Sequence, residues 1–136
     1  LRKLKVVLLM GILSALLGAC MGNKGTSDAD YAGKYKAAVA SLAHVDSVES
    51  SYKTDAGMGR TASLYIRADT SDKAEMMGLL EEAFPAVVKA AEGDPNVSLD
   101  IQVTAADGAT AVSPTHLGYS GTGTLNSYRD FLKKKG

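Results

Sequence analysis

Val97-Ser98-Leu99-Asp100-Ile101-Gln102-Val103-Thr104 alternates without a break between apolar and polar side chains. Period two is the mark of a strand with one buried and one wet face, because successive side chains point to opposite sides of the pleat. Asp107-Gly108 then offers a hairpin turn that returns the chain through Ala109–Ser113. A strand wet on one side belongs to a sheet covered on one face only, so the rest of the chain has to supply the cover.

Upstream, Gly93-Asp94-Pro95 reads as a helix stop, with a Gly C-cap and Pro beyond it. The helix it ends carries Met76, Leu80, Ala83, Phe84, Val87, Val88 and Ala91 on one stripe, with Lys73, Glu81, Glu82 and Lys89 on the wet side. Thr70-Ser71-Asp72 suits its N-terminus, Glu75 is spaced from Asp72 as in a capping box, and Pro85 predicts a kink or a restart. Before it, Ala62, Leu64, Ile66 and Ala68 alternate with Thr61, Ser63, Tyr65 and Arg67. Val48, Ser50 and Tyr52 alternate with Glu49, Ser51 and Lys53, and the turn segment Asp55-Ala56-Gly57-Met58-Gly59 joins the two runs into a hairpin. A first helix is predicted from Asp28, with Tyr31, Tyr35, Ala38, Leu42 and Val45 at steps of three and four and His44 at its C-terminal end. Ser27, Asp28 and Asp30 suit its start. Downstream, the small-residue loop Pro114–Gly123 leads to a last helix with Leu125, Tyr128, Phe131 and Leu132 inward and Lys133, Lys134 and Lys135 at its C-terminus.

The predicted order is therefore α-ββ-α-ββ-α. The fold class is α+β: a two-layer sandwich of a four-stranded antiparallel sheet, order 2-1-3-4, with helices on one face. It resembles a ferredoxin-like fold that lacks the opening strand. Its open face would carry Thr61, Ser63, Tyr65, Arg67, Ser98, Asp100, Gln102 and Thr104.

The N-terminus obeys different rules. Arg2, Lys3 and Lys5 precede an apolar run, Val6–Leu17, broken only by Gly11 and Ser14, and Leu16-Leu17-Gly18-Ala19-Cys20 follows. About 12 to 14 apolar residues reach roughly 20 Å as a helix, short of the ~30 Å hydrocarbon core, which argues for an export signal and against a permanent span. Residues 1–20 resemble the lipobox signal of bacterial lipoproteins. The resemblance implies cleavage between Ala19 and Cys20, with diacylglycerol on the Cys20 thiol and acylation of the new amine. Cutting by the ordinary signal peptidase is the rival, since Gly18 and Ala19 are small. Two or three acyl chains anchor stably where one binds only marginally. Residues 1–19 are then the signal, 20–27 the lipidated N-terminus and tether, and 28–136 a single α+β domain. Met21–Ser27 spans ~23 Å fully extended but nearer ~15 Å on average, which keeps the domain close to the lipid. The implied address is the cell membrane on its extracytoplasmic side, with the outer membrane favoured in a Gram-negative host because Met21, not Asp, follows the cysteine.

Composition bounds the partners. The chain has 15 basic and 15 acidic residues, and loss of Arg2, Lys3 and Lys5 leaves 12 against 15. A mildly acidic domain lacks the basic footprint of a nucleic-acid binder. Cys20 is the only cysteine, so once it carries lipid neither a disulfide nor a thiol cycle is open to the domain.

No chemical motif emerges from the body. His44 and His116 have no ligand-spaced partner for a metal, and Met58, Met76 and Met77 read as turn and core positions, not as a copper site. Gly118-Tyr119-Ser120-Gly121 is one residue short of a nucleophile elbow. Gly118–Thr124 lacks the order of a dinucleotide fingerprint and the Lys of a P-loop, which favours a loop with Thr122 or Thr124 as helix cap. Lys133–Lys135 could touch anionic headgroups, but reads first as a solvated helix end. The expectation is a non-enzymatic domain with no cofactor beyond its covalent lipid. It would bind an envelope protein or glycan through Tyr65, Arg67, Asp100 and Gln102, Tyr and Arg being favoured anchors. The alternative is a small-ligand carrier or hydrolase with its site at the 114–124 loop, near His116 and Ser120.

Overall fold

The computed structural model describes residues 26–57 and 59–135. Helix α1 spans Asp28–Val39, and Ser27 and Asp30 close a reciprocal capping box at its start, with Asp30 N–H donating to Ser27 Oγ at 3.1 Å and Ser27 N–H to Asp30 Oδ2 at 3.2 Å. Strand β1 spans Val45–Asp55 and β2 spans Gly59–Ala68. Helix α2 spans Lys73–Ala90, β3 Ser98–Thr104 and β4 only Ala111–Val112. A 3₁₀ turn, Pro114–Leu117, precedes α3, Leu125–Lys135.

The element order and the α+β class are as the sequence predicts, but the sheet is not. Its order is β1-β2-β3-β4, and β2 pairs with β3 in parallel, so the expected all-antiparallel order 2-1-3-4 is corrected. The reason lies in which strands can afford the centre. β2 buries Ala62, Leu64, Ile66 and Ala68, and β3 buries Leu99, Ile101 and Val103, whereas β1 buries only Val48 and Tyr52 along its whole length. The two most apolar strands take the middle, and the segment between them, with α2 in it, is long enough for the crossover a parallel pair requires. β1 is left at the edge. There α1 lies along it, with Asp28 accepting from Thr54 N–H at 3.1 Å and Thr54 Oγ1 at 2.7 Å, and Ser50 Oγ donating to the Ala32 carbonyl at 2.8 Å.

Other local expectations are refined. α1 stops at Val39; Leu42 and Val45 belong to a turn and to β1, and His44 takes a left-handed conformation at φ 73° instead of sitting on a helix terminus. Asp72 caps α2 through Ala74 N–H at 2.8 Å, while Glu75 accepts from the Thr70 hydroxyl and does not complete a capping box. α2 runs through Pro85 without a restart, because Pro85 lies on the exposed side where its missing N–H costs no buried hydrogen bond.

The loop before α3 is far from slack. Leu99 N–H donates to the Gly123 carbonyl and Leu125 N–H to the Val97 carbonyl, both at 2.8 Å, so residues 123–125 lie against the start of β3 opposite β2. Tyr119, in the stretch expected to be a small-residue loop, is buried; its hydroxyl accepts from Gly123 N–H and donates to Ser127 Oγ, both at 2.7 Å. Thr124 caps α3, as one of the two anticipated residues, by accepting from Ser127 N–H at 3.2 Å. Two aromatic groups close the ends of the helix layer. Tyr31 stacks on Tyr52 at 4.5 Å beside Tyr35, and Phe84 meets Tyr128 edge-on at 5.0 Å beside Tyr119 and Phe131. All of this packing is on one side of the sheet, and the other side is bare.

Candidate functional site

The bare side is built by register. Parallel pairing sets Tyr65 beside Gln102, Ser63 beside Asp100 and Arg67 beside Thr104, and antiparallel pairing sets Glu49 beside Tyr65 and Ser47 beside Arg67. Because side chains alternate across the pleat, these polar residues share the face opposite the helices. The four residues singled out from sequence, Tyr65, Arg67, Asp100 and Gln102, are thus brought together. With β1 between β2 and β3, as first expected, the two pairs would stand two strand spacings apart, about 9–10 Å. The corrected topology makes them adjacent.

All four side chains are engaged in hydrogen bonds within the domain. Tyr65 Oη donates to Asp100 Oδ2 at 2.8 Å, and Gln102 Nε2 reaches the same carboxylate at 3.4 Å. The bond to Asp100 raises the Tyr65 phenol above its ordinary pKa, with a smaller contribution from burial. Arg67 Nη1 donates to the Ala106 carbonyl at 3.0 Å and to that of Ala105 at 3.4 Å, which fixes the guanidinium at the β3 end of the face. Between them lies an open trough of about 270 Å³, lined by Ser47, Glu49, Tyr65, Ile66, Arg67, Gln102 and Thr104. Ser47 and Glu49 had not been assigned to the site. The signal for Glu49 was present in the alternation of Glu49, Ser51 and Lys53 with Val48, Ser50 and Tyr52, and Ser47 continues that phase one step earlier.

The alternative site is differently built. His116 Nδ1 is engaged by Ser113 N–H at 3.1 Å, within its own turn. An open recess of about 210 Å³ beside this loop is lined by Asp100, Ser113, Thr115, Tyr119 and Thr122 among others, but by neither His116 nor Ser120. The structure does not join those two residues, and the Tyr119 side chain fills the space beneath the loop. Lys133–Lys135 are exposed, with Lys135 Nζ 5.5 Å from the Phe131 ring centre.

Cys20, Ala19 and Met58 lie outside the described residues. Among the described residues no group of three or more His, Cys, Asp or Glu is arranged to hold a metal ion, and no helix is long and apolar enough to cross a membrane. The chain finds no match among protein-family models, curated proteins or solved structures.

Proposed function

We propose that the protein is a membrane-anchored extracytoplasmic lipoprotein whose domain binds an envelope protein or glycan through the open face of its sheet, without chemistry of its own. The observation that carries the binding half is the adjacency of Tyr65, Arg67, Asp100 and Gln102 on an uncovered face, with the Tyr65 and Arg67 ends already fixed by hydrogen bonds. Anchors that are rigid beforehand lose less entropy on binding. The anchor half rests on Leu16-Leu17-Gly18-Ala19-Cys20 after a basic and then an apolar stretch.

Each half has its own test. Labelled palmitate should enter the wild-type protein, while Cys20→Ser should stay unlabelled and unprocessed; normal maturation of that variant would assign the cut to ordinary signal peptidase. A photo-crosslinking residue at Gln102 should capture an envelope component in intact cells, and one at Lys73, on the helical side, should not. Equal capture from both positions would remove the case for the sheet face.

A further inference from the structure

Resting on the reading that the open face binds, we infer that its ligand is a carbohydrate: a hexopyranose unit of an envelope glycan, with one ring seated on Tyr65. A protein interface is organised around a desolvated cluster of aromatic and aliphatic side chains, with polar groups at its rim. The open face inverts that plan. Tyr65, 39% exposed, is the one large hydrophobic residue exposed among the described residues, and the other residues lining the trough are polar except Ile66, which is fully buried. A protein docked there would have a rim and no core.

A pyranose presents the complementary surface. One face of the ring is a patch of C–H groups, and its edge is a ring of hydroxyls, each able to donate and to accept. Tyr65 offers the platform. Its hydroxyl proton is given to Asp100, so the side chain is held in place and a ligand can use the ring face and the phenol oxygen as an acceptor. Around it stand an acceptor, Glu49, whose carboxylate makes no hydrogen bond or ion pair among the described residues, and a fixed donor, Arg67. Gln102 both donates and accepts, as do the hydroxyls of Ser47 and Thr104. Such a mixture suits a ligand whose groups also do both, and suits a polyanion poorly, because Glu49 and Asp100 outnumber Arg67 there.

The test uses the full chain in detergent, applied to an array of bacterial glycans and to isolated murein sacculi. Retention is expected on at least one hexopyranose glycan. Tyr65→Ala should lower it at least about tenfold, as loss of an anchor does. Tyr65→Phe keeps the platform and loosens its fixing, so it should cost only a few-fold. Circular dichroism of both variants should match wild type. No retention on array or sacculi overturns the inference, as does Tyr65→Ala binding as tightly as wild type. A protein crosslinked through position 102 with no glycan retained would overturn the carbohydrate and leave the docking face standing. Failure of both would overturn both.

Discussion

Tyr65 and Asp100 lie 35 positions apart in the chain yet stand on neighbouring parallel strands, the phenol donating to the carboxylate at 2.8 Å. The contact joins the two strands on the side the helices do not reach. Asp100→Asn removes the negative charge that holds the Tyr65 proton. Tyr65 should then ionise at a lower pH than in the wild type, read by absorbance or by NMR of the tyrosine ring. Tyr128 and Tyr35 will not obscure it, since burial pushes Tyr128 up to about 12 and, with Asp94, takes Tyr35 higher still. Global stability should change by no more than about 0.5 kcal/mol, as for other surface substitutions.

Asp94, just past the end of α2, receives Lys34 Nζ at 2.8 Å and the Tyr35 hydroxyl at 3.0 Å, tying α1 to α2. Its side chain is only 11% exposed. Tyr35→Phe should destabilise the domain by about 1 kcal/mol, and Asp94→Ala by about 1–3 kcal/mol, because it strands the hydroxyl of the buried Tyr35. Urea denaturation of the two variants checks the order.

Gly121 has no room for a side chain. A methyl group there would run into Ser127 Oγ and the Tyr119 hydroxyl, the same pair that hydrogen-bonds to seat the loop on α3. Gly121→Ala should cost about 1–3 kcal/mol as an overpacked site, whereas the exposed neighbour Ser120→Ala should be close to neutral. Thermal melts of the two variants, one residue apart, separate packing from general loop sensitivity.

His44 couples pH to stability. Its Nδ1 lies 2.9 Å from Asp69 Oδ1 and its Nε2 3.7 Å from Glu75 Oε2, and Asp72 adds to the negative field. The hydrogen bond to Asp69 is the main cause that raises its pKa above the ordinary value. A raised folded-state pKa gives stability that is fully present below the unfolded value of about 6.5 and fades as pH rises through the folded value. His44→Gly should therefore be less stable than wild type near pH 5.5. Above pH 8 it should match or exceed wild type, because glycine accepts the φ of 73° without strain. Denaturation at the two pH values reads the crossover.

Much of the fold was legible because alternation and helical spacing record which side of each element is buried. The strands Ala62–Ala68 and Leu99–Val103, the cap at Asp72 and the inward set Leu125, Tyr128, Phe131 and Leu132 all follow from it. Strand order was not legible in the same way, since alternation says that a strand has a wet face but not which neighbour it takes. The poverty of β1, with Val48 and Tyr52 as its buried residues against four in β2, was the available clue to its edge position. The seating of Tyr119 was hidden for another reason: it depends on Gly123, Ser127 and the absence of a side chain at Gly121, a three-way fit with no period to detect. The open face was readable as a set of polar positions, while its trough depends on a register between strands that no local pattern encodes.

The parallel ladder between β2 and β3 also sets a timetable. β1 and β2 are joined by a short turn and can zip together early, but Arg67 meets Thr104 only after the intervening segment has formed and folded back, a long closure whose entropy must be met before its contacts form. Tyr65 gains Asp100 at that same late moment. A chain in which β2 and β3 have not yet paired therefore lacks the trough, because residues of β1, β2 and β3 line it together.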